Sequence, residues 1–332
     1  MNPMPNPFSR LLAIALALGA AVLPFVATSV AAQDYPTRPI TLVVPFPPGG
    51  ATDTLGRLVG KQLGERLGQP VLIDNRAGAG TAVGAGFVAK AAPDGYTLLI
   101  SSGSTFTVNP AIRSNLPYDS VKSFDPISVV GRVPLILLAN PAVPVNTVKQ
   151  FVEAIKANPD KYSYASFGSG TTSHFTGEIV MHAVGAKLLH VPYKGSAPAM
   201  KDLIGGQVPF LFDTMTAALP QLAAKKVKAI ALTTAKRSSQ LPDVPTFAEA
   251  GYSEVNADTW LMIVGPKGMP DVVRTKLEKT LGAILAEPST QAAIRAQGTE
   301  PSYSNAKASA DIINNELPLM RAVARRANIQ AD

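Results

Sequence analysis

From residue 33 onward, short apolar runs alternate with amphipathic stretches. ITLVVPF (40–46), PVLIDN (70–75), YTLLISS (96–102), PISVVGRV (126–133), LILLAN (135–140), YSYAS (162–166), LLHVPY (188–193), VPFLFDT (208–214), KAIALTT (228–234) and TWLMIVGP (259–266) are strand candidates, rich in Val, Ile, Leu and aromatics. Most are separated by helical periodicity. After Gly50, the residues Leu55, Leu58, Val59, Leu63 and Leu67 recur at spacings of three and four, which makes an apolar stripe to lay on a sheet. The alternation predicts an α/β fold with a mostly parallel sheet and ligands at the carboxyl ends of its strands. The last sixty residues, with stripes Val272, Val273, Leu277, Leu281, Ile284 and Ile312, Ile313, Leu317, Met320, read as helical throughout.

Two stretches, 131–147 and 256–271, hold a strand flanked by prolines and small polar residues, the composition of segments that pass between lobes. They predict two α/β lobes joined by a double crossover, with residues 33–134 plus 256–332 in lobe 1 and 135–255 in lobe 2. Composition agrees: 332 residues, 46% of them hydrophobic, with 29 prolines and 26 glycines, suit a folded chain with many short connections.

Residues 1–32 read as an export signal. Arg10 precedes the apolar LLAIALALGAAVLPFVATSV, Pro24 interrupts that run, and VAA (30–32) puts small residues where a signal peptidase cuts, so the mature chain should begin near Gln33 in the periplasm. No cysteine follows to carry a lipid. The chain has no cysteine at all, which excludes disulfides, thiolate metal sites and cysteine nucleophiles. Its net charge of +7 is spread along the sequence, with no basic stripe interleaved with aromatics, so nucleic acid is not an expected partner.

Nucleotide and hydrolase motifs are near misses. GGATDTLGR (49–57) lacks the Lys-Ser/Thr ending of a phosphate loop, while GAGTAVGAG (78–86) and GSGTTS (168–173) have Val83 and Ser173 where a dinucleotide fingerprint needs its third glycine. No serine sits in G-x-S-x-G, and His174, His182 and His190, the only histidines, are spaced too widely for a chelating pair on one helical turn. No cofactor and no metal are expected. What remains is two strand-to-helix turns, VVPFPPGGATDT and YASFGSGTTSHF, each offering free backbone N–H groups and the positive end of a helix to an anion.

YPTRPITLVVPFPPGGATD, VLIDNRAGAGTAVGAGFVAKAAPDGYTLL, YASFGSGTTSH, HVPYKGSAPAMKDLIGGQV and PTFAEAGY…TWLMIVGPKGMP follow in this order from Tyr35 to Pro270. Together they resemble the Bug (TctC-like) substrate-binding proteins of tripartite tricarboxylate transporters. Ala77 stands where that family commonly has proline, and Thr81 where it commonly has glycine. The resemblance implies a periplasmic binding protein of type II fold that is not an enzyme. It would act as a monomer, closing on a small carboxylated solute and delivering it to membrane permease subunits. A sensor working with a membrane histidine kinase is the alternative, and an enzyme acting on a carboxylic acid is the less favoured one.

Carried onto this sequence, the resemblance puts Phe46, Gly49, Gly50 and Asp53 in the first-lobe jaw. It puts Ser169, Gly170, Thr171, Ser173 and His174 in the second. Ser101, Ser102 and Thr105 of SSGST, Tyr193 and Gly195 of PYKGSAP, and Asp213 complete the rim. Asp53 has a second reading, as a charge matched to its own helix N-terminus, and Tyr193 has one as a strand-end core aromatic. Arg76 reads as a surface or inter-loop hydrogen-bonder rather than a carboxylate clamp.

Overall fold

Strand β1 (Ile40–Val44) is buried along nearly its whole length and starts the first lobe. The protein is described by a computed structural model covering residues 35–326 together with Asn328 and Ile329. The expected signal segment lies outside the described residues. Helix α1 (Ala51–Leu67) follows β1, with Leu55, Val59 and Leu63 fully buried and Leu58 and Leu67 at the edge of the stripe. Burying each of the three contributes roughly 1.5–3 kcal/mol. Gly68 ends the helix at φ +72°, a conformation glycine adopts without strain. Then come β2 (Val71–Asn75), α2 (Ala82–Ala89) and β3 (Thr97–Ser102), with β1 parallel to both β2 and β3. A π-helical turn at Ser104–Val108 runs into the short α3 (Asn109–Ile112).

Strand β4 (Phe124–Ala139) corrects the expectation of two separate strands, PISVVGRV and LILLAN. Pro134 does not end it. That proline pairs with Asp258 at the last step of one ladder, and Leu135 opens the next, so the missing N–H falls where the strand changes partners. After β4 the second lobe is built from α4 (Val148–Ala157), β5 (Ser163–Ser166), α5 (Thr172–Val184), β6 (Leu189–Pro192), α6 (Ser196–Ile204), β7 (Phe210–Thr214), α7 (Met215–Ala223) and β8 (Lys228–Leu232). The chain returns through β9 (Asp258–Pro266) and finishes with α8 (Asp271–Ala286), α9 (Pro288–Ala296), β10 (Glu300–Ser304) and α10 (Ala306–Arg326). The closing segment is therefore not all helical, because β10 pairs antiparallel with β4.

The strand order is β2-β1-β3-β9-β4-β7-β5-β6, with β8 and β10 also on β4. The sheet is mixed rather than mostly parallel. β1–β3 and β5–β7 pair in parallel, but β4 and β9 run antiparallel to every neighbour. Strands joined by βα units come out parallel, whereas the two that carry the chain between lobes enter each sheet against that direction.

Second-lobe strands alternate sides with period two. Leu137, Phe210 and Phe212 face a core with Phe151, Tyr164 and Phe247, while Ile136, Leu138 and Leu211 face Leu203 and Met215. In the first lobe, Trp260 stacks on Phe106 with ring centroids 5.8 Å apart, among Val43, Leu99, Met262 and Val264. At the crossovers Thr233 ties the two passing segments, its single hydroxyl proton shared between the carbonyls of Ala257 (2.7 Å) and Leu135 (3.1 Å). Arg132 and Asp258 form an ion pair at 3.0 Å beside it.

Candidate functional site

The turn after β1 is shaped by Asp53. Its carboxylate accepts the Gly49 N–H (3.0 Å), two N–H groups of Arg57 (3.0 and 2.8 Å) and the Asn75 amide (2.9 Å), and Asn75 also donates to the Phe46 carbonyl (3.0 Å). Burial pushes the Asp53 carboxyl up, but these bonds outweigh it and hold the group below the ordinary carboxylate range. Asp53 therefore sits behind the turn and fixes it. Gly49, at φ +94°, makes the bend, and Gly50, at φ −85° and ψ 171°, delivers the chain into α1. The first-turn N–H groups of α1 have no carbonyl four residues back to receive them.

The opposite jaw is the turn from β5 to α5. Thr171 caps the helix, its hydroxyl accepting the His174 N–H (3.5 Å) and donating to the Gly168 carbonyl (2.6 Å). The Thr172 N–H donates to Ser104 Oγ of the first lobe at 3.0 Å, so the jaws meet. Phe46 and Phe167 face each other edge to face across the cleft, centroids 6.1 Å apart. An added Cβ on Gly195 would come within 2.8 Å of Pro47.

Between the jaws lies a cavity of about 30 Å³, room for one or two waters. The starts of four helices reach it: Gly50, Ala51 and Thr52 of α1, Thr172 of α5, Gly195 and Ser196 of α6, and Asp213 and Thr214 of α7. Helix N-termini concentrate positive potential, so this is a pocket for negative charge. Among the described residues, no Lys, Arg or His lines it. Thr259 and Leu261 of β9 form the first-lobe wall, and the buried Thr259 hydroxyl has no hydrogen-bond partner among the described residues. Also among the described residues, no group of three His, Asp or Glu side chains is placed to hold a metal.

Of the residues named from the sequence, Phe46, Gly50, Ser102, Gly195 and Asp213 come together on the cavity. The others stand farther back. Ser173 donates to the Phe212 carbonyl at 2.6 Å, and Ser101 and Thr105 share a hydrogen bond at 2.5 Å that continues to the Thr81 hydroxyl at 2.7 Å. Gly170 is pressed against Asn109, whose Oδ1 would lie 2.6 Å from an added Cβ. The Tyr193 hydroxyl bonds Asp202 at 2.8 Å, and burial, with that bond and charge, pushes the phenol up to about 12. Ser169 and His174 line a separate depression with Glu178 and His190, where the two imidazoles stack at 4.0 Å. Arg76 bonds Asp74 at 2.6 Å and covers the Phe87 ring. Thr52, Thr172, Ser196, Thr214 and Thr259 also line the cavity and were not singled out in the sequence as ligand contacts. For all but Thr259 the available signal was a small polar residue at a helix start.

The model of the family described as "Tripartite tricarboxylate transporter family receptor" matches residues 55–329. Protein BugT of Bordetella pertussis is 36% identical over 301 residues, 90% of this chain and 92% of the relative. Among solved structures, the periplasmic binding protein BugD superposes with a TM-score of 0.85 at 38% identity, over 89% of this chain and 99% of that one. An R. palustris protein solved with adipate gives 0.87 at 35%, over the same shares of the two chains, 89% and 99%. Two α/β lobes, two crossovers and a cleft between helix starts make this the type II periplasmic binding protein fold. The chain belongs to the Bug (TctC-like) receptor family of tripartite tricarboxylate transporters.

Proposed function

We propose that this protein is a periplasmic receptor that captures a small carboxylate between its jaws and delivers it to a tripartite tricarboxylate-type permease. The observation that carries this reading is the cavity itself: four helix starts and an unpartnered hydroxyl, with apolar walls and no cationic side chain. Backbone N–H groups of Gly50, Ala51 and Thr52 grip the carboxylate, with the hydroxyls of Ser102, Thr172 and Thr259 around it. Gly49, Asp53, Thr171 and Ser173 hold the jaws in shape. The jaws already touch, Thr172 on Ser104 and Gly195 on Pro47, so entry of such a solute requires the lobes to part. The moving bodies are residues 33–134 plus 256–332 and residues 135–255, turning about the Thr233 tie. Residues 1–32 are removed on export, and N-terminal sequencing of the exported protein should start at or near Gln33.

A thermal-shift screen of small carboxylic acids tests the reading. A ligand at a hundredfold excess over its Kd adds about 2.7 kcal/mol of stability, and its amide analogue should lose most of that. Gly50→Val should abolish the shift and leave the fold intact, since an added Cβ at Gly50 meets nothing within 4 Å. Arg76→Gln should change little. Loss of binding in Arg76→Gln with retention in Gly50→Val would show that a side-chain ion pair holds the anion, and would overturn the helix-start reading.

A further inference from the structure

Among the described residues, Asp213 is the one ionisable residue on the cavity wall, and it is an acid. It is fully buried, and its carboxylate accepts from the Thr214 N–H (2.7 Å), the Thr214 hydroxyl (3.3 Å) and the Ser196 hydroxyl (2.5 Å). A carboxylate offers about four acceptor positions, so one on Oδ2 is left over. An anionic ligand entering so small a space meets a second negative charge, and two carboxylates at close range do not both stay ionised. We propose that capture of a carboxylate is coupled to uptake of one proton from solvent by Asp213, which then donates that proton in a hydrogen bond to the ligand. The proposal rests on the carboxylate reading above.

Burial already pushes the Asp213 carboxyl up to about 6 against the opposing pull of Ser196 and Thr214, so little is needed to protonate it near neutrality. No neighbouring charge enters that balance. On the elements packed around it, Arg132 of β4 is paired with Asp258 of β9, and Asp53 of α1 with Arg57. Tyr164 of β5 bonds Glu178 of α5, and Asp202 of α6 bonds Tyr193. The remaining titratable groups on those helices are Lys201 of α6, His174 and His182 of α5, and Lys61, Glu65 and Arg66 of α1, of which Lys61 pairs with Glu65 and Arg66 with Glu287. The rival role for Asp213 is as an ionised acceptor for an ammonium or hydroxyl of the ligand. Four converging helix starts disfavour a cation there.

Acetate and adipate serve as probes on the full mature protein, followed by calorimetry between pH 6 and pH 8 in buffers of differing ionisation enthalpy. The expected result is uptake of about half a proton per ligand at pH 6, where Asp213 is half protonated, rising to about one at pH 8, with a Kd that weakens about fivefold from pH 6 to 7 and about tenfold from pH 7 to 8. Asp213→Asn, whose amide can donate, should flatten the profile and bind more tightly than wild type at pH 8. Binding of either probe with no proton uptake, or an equal slope in Asp213→Asn, overturns the coupling and leaves the carboxylate reading standing. Loss of binding at every pH in a folded Asp213→Asn assigns the acceptor role instead. Failure of both probes to bind wild type at pH 6 overturns the carboxylate reading and the coupling with it. If Asp213→Asn does not fold, the wild-type proton count alone decides.

Discussion

Asp53 and Thr81 show how a residue's surroundings decide what it does near a site. The Asp53 carboxylate, sealed from solvent, satisfies Gly49, Arg57 and Asn75 at once. Asp53→Ala would leave the Gly49 N–H without its acceptor and half-exposed Arg57 without its carboxylate, while Asn75 keeps its bond to the Phe46 carbonyl, and should lower stability by about 1–3 kcal/mol in urea denaturation. The pH dependence has a definite sign. Burial raises Asp53 and also Asp125 of β4, which accepts from Lys267 and from the Gly268 and Met269 N–H groups, but these bonds and cationic partners bring both below the usual range, so their contribution is complete above the unfolded carboxyl range and lost as pH falls through and below it. Asp213 is raised, so its contribution is present below the unfolded range and lost as pH rises through about 6. Without ligand, wild type should therefore lose stability relative to Asp213→Asn mainly as pH rises from about 4 to about 6, measured as Tm. Thr81, at φ +92°, is a β-branched residue where glycine is at ease, and its hydroxyl receives the Thr105 bond. Thr81→Val keeps the strain and discards the bond, so it should cost about 1–2 kcal/mol. Gly50 and Asp213 were legible because each stands where an apolar strand hands over to a helix. Thr259 was not, because a lone hydroxyl in DTWLMIVGP reads as an ordinary strand position. His174 lines the other depression because it lies two residues, about 200°, round α5 from Thr172, which faces the cavity.

Helix α1 was legible almost to its ends, since five apolar positions at three-and-four spacing have one reasonable reading. The strands at the crossovers were harder. Pro134 looked like a boundary because a proline breaks most ladders, and only the change of partners at that position makes it harmless. Strand β10 carries the sequence EPSYS, too polar and too short to stand out, and it is a strand only because β4 offers it an edge. Gly131 of β4 allows this packing. A Cβ there would come within 2.8 Å of Thr299 and 3.0 Å of Leu55, wedging β10 and α1 away from the strand. Gly131→Ala should therefore lower stability by about 1–3 kcal/mol while carboxylate affinity stays within a few-fold, as read by denaturation and calorimetry on the same preparation.

Closure of the two lobes is held by a small set of contacts. Ser104 meets Thr172, Phe175 of α5 packs on Val108 and Ala324, and Gly195 lies on Pro47. Gly195, at φ +110°, has neither the room nor the backbone geometry for a side chain, so Gly195→Ala should prop the jaws apart. Small-angle scattering should show a larger radius of gyration for that variant, with weakened ligand capture and little change in helix content. Trp260, whose indole N–H donates to Glu316 at 2.6 Å, lies between the cavity-lining Thr259 and Leu261. Its emission should change on ligand binding although it does not line the cavity. An unchanged spectrum at saturating ligand would place the hinge away from β9.

The route of the chain also sets an order of events. β3 pairs with β9, Leu99 with Val264, so the first sheet stays open at that edge until residues far along the chain have arrived. The β5, β6 and β7 strands pair only with one another and with β4, all supplied by an unbroken stretch. Loop closure over so long a separation is slow, and local pairings form sooner. A chain emerging N-terminus first would thus assemble its second lobe before it could finish its first. Pulse-labelled hydrogen exchange during refolding should find β5 and β7 amides protected ahead of those of β3 and β9. Simultaneous protection would mean that the long strand β4 binds the two halves into a single cooperative event.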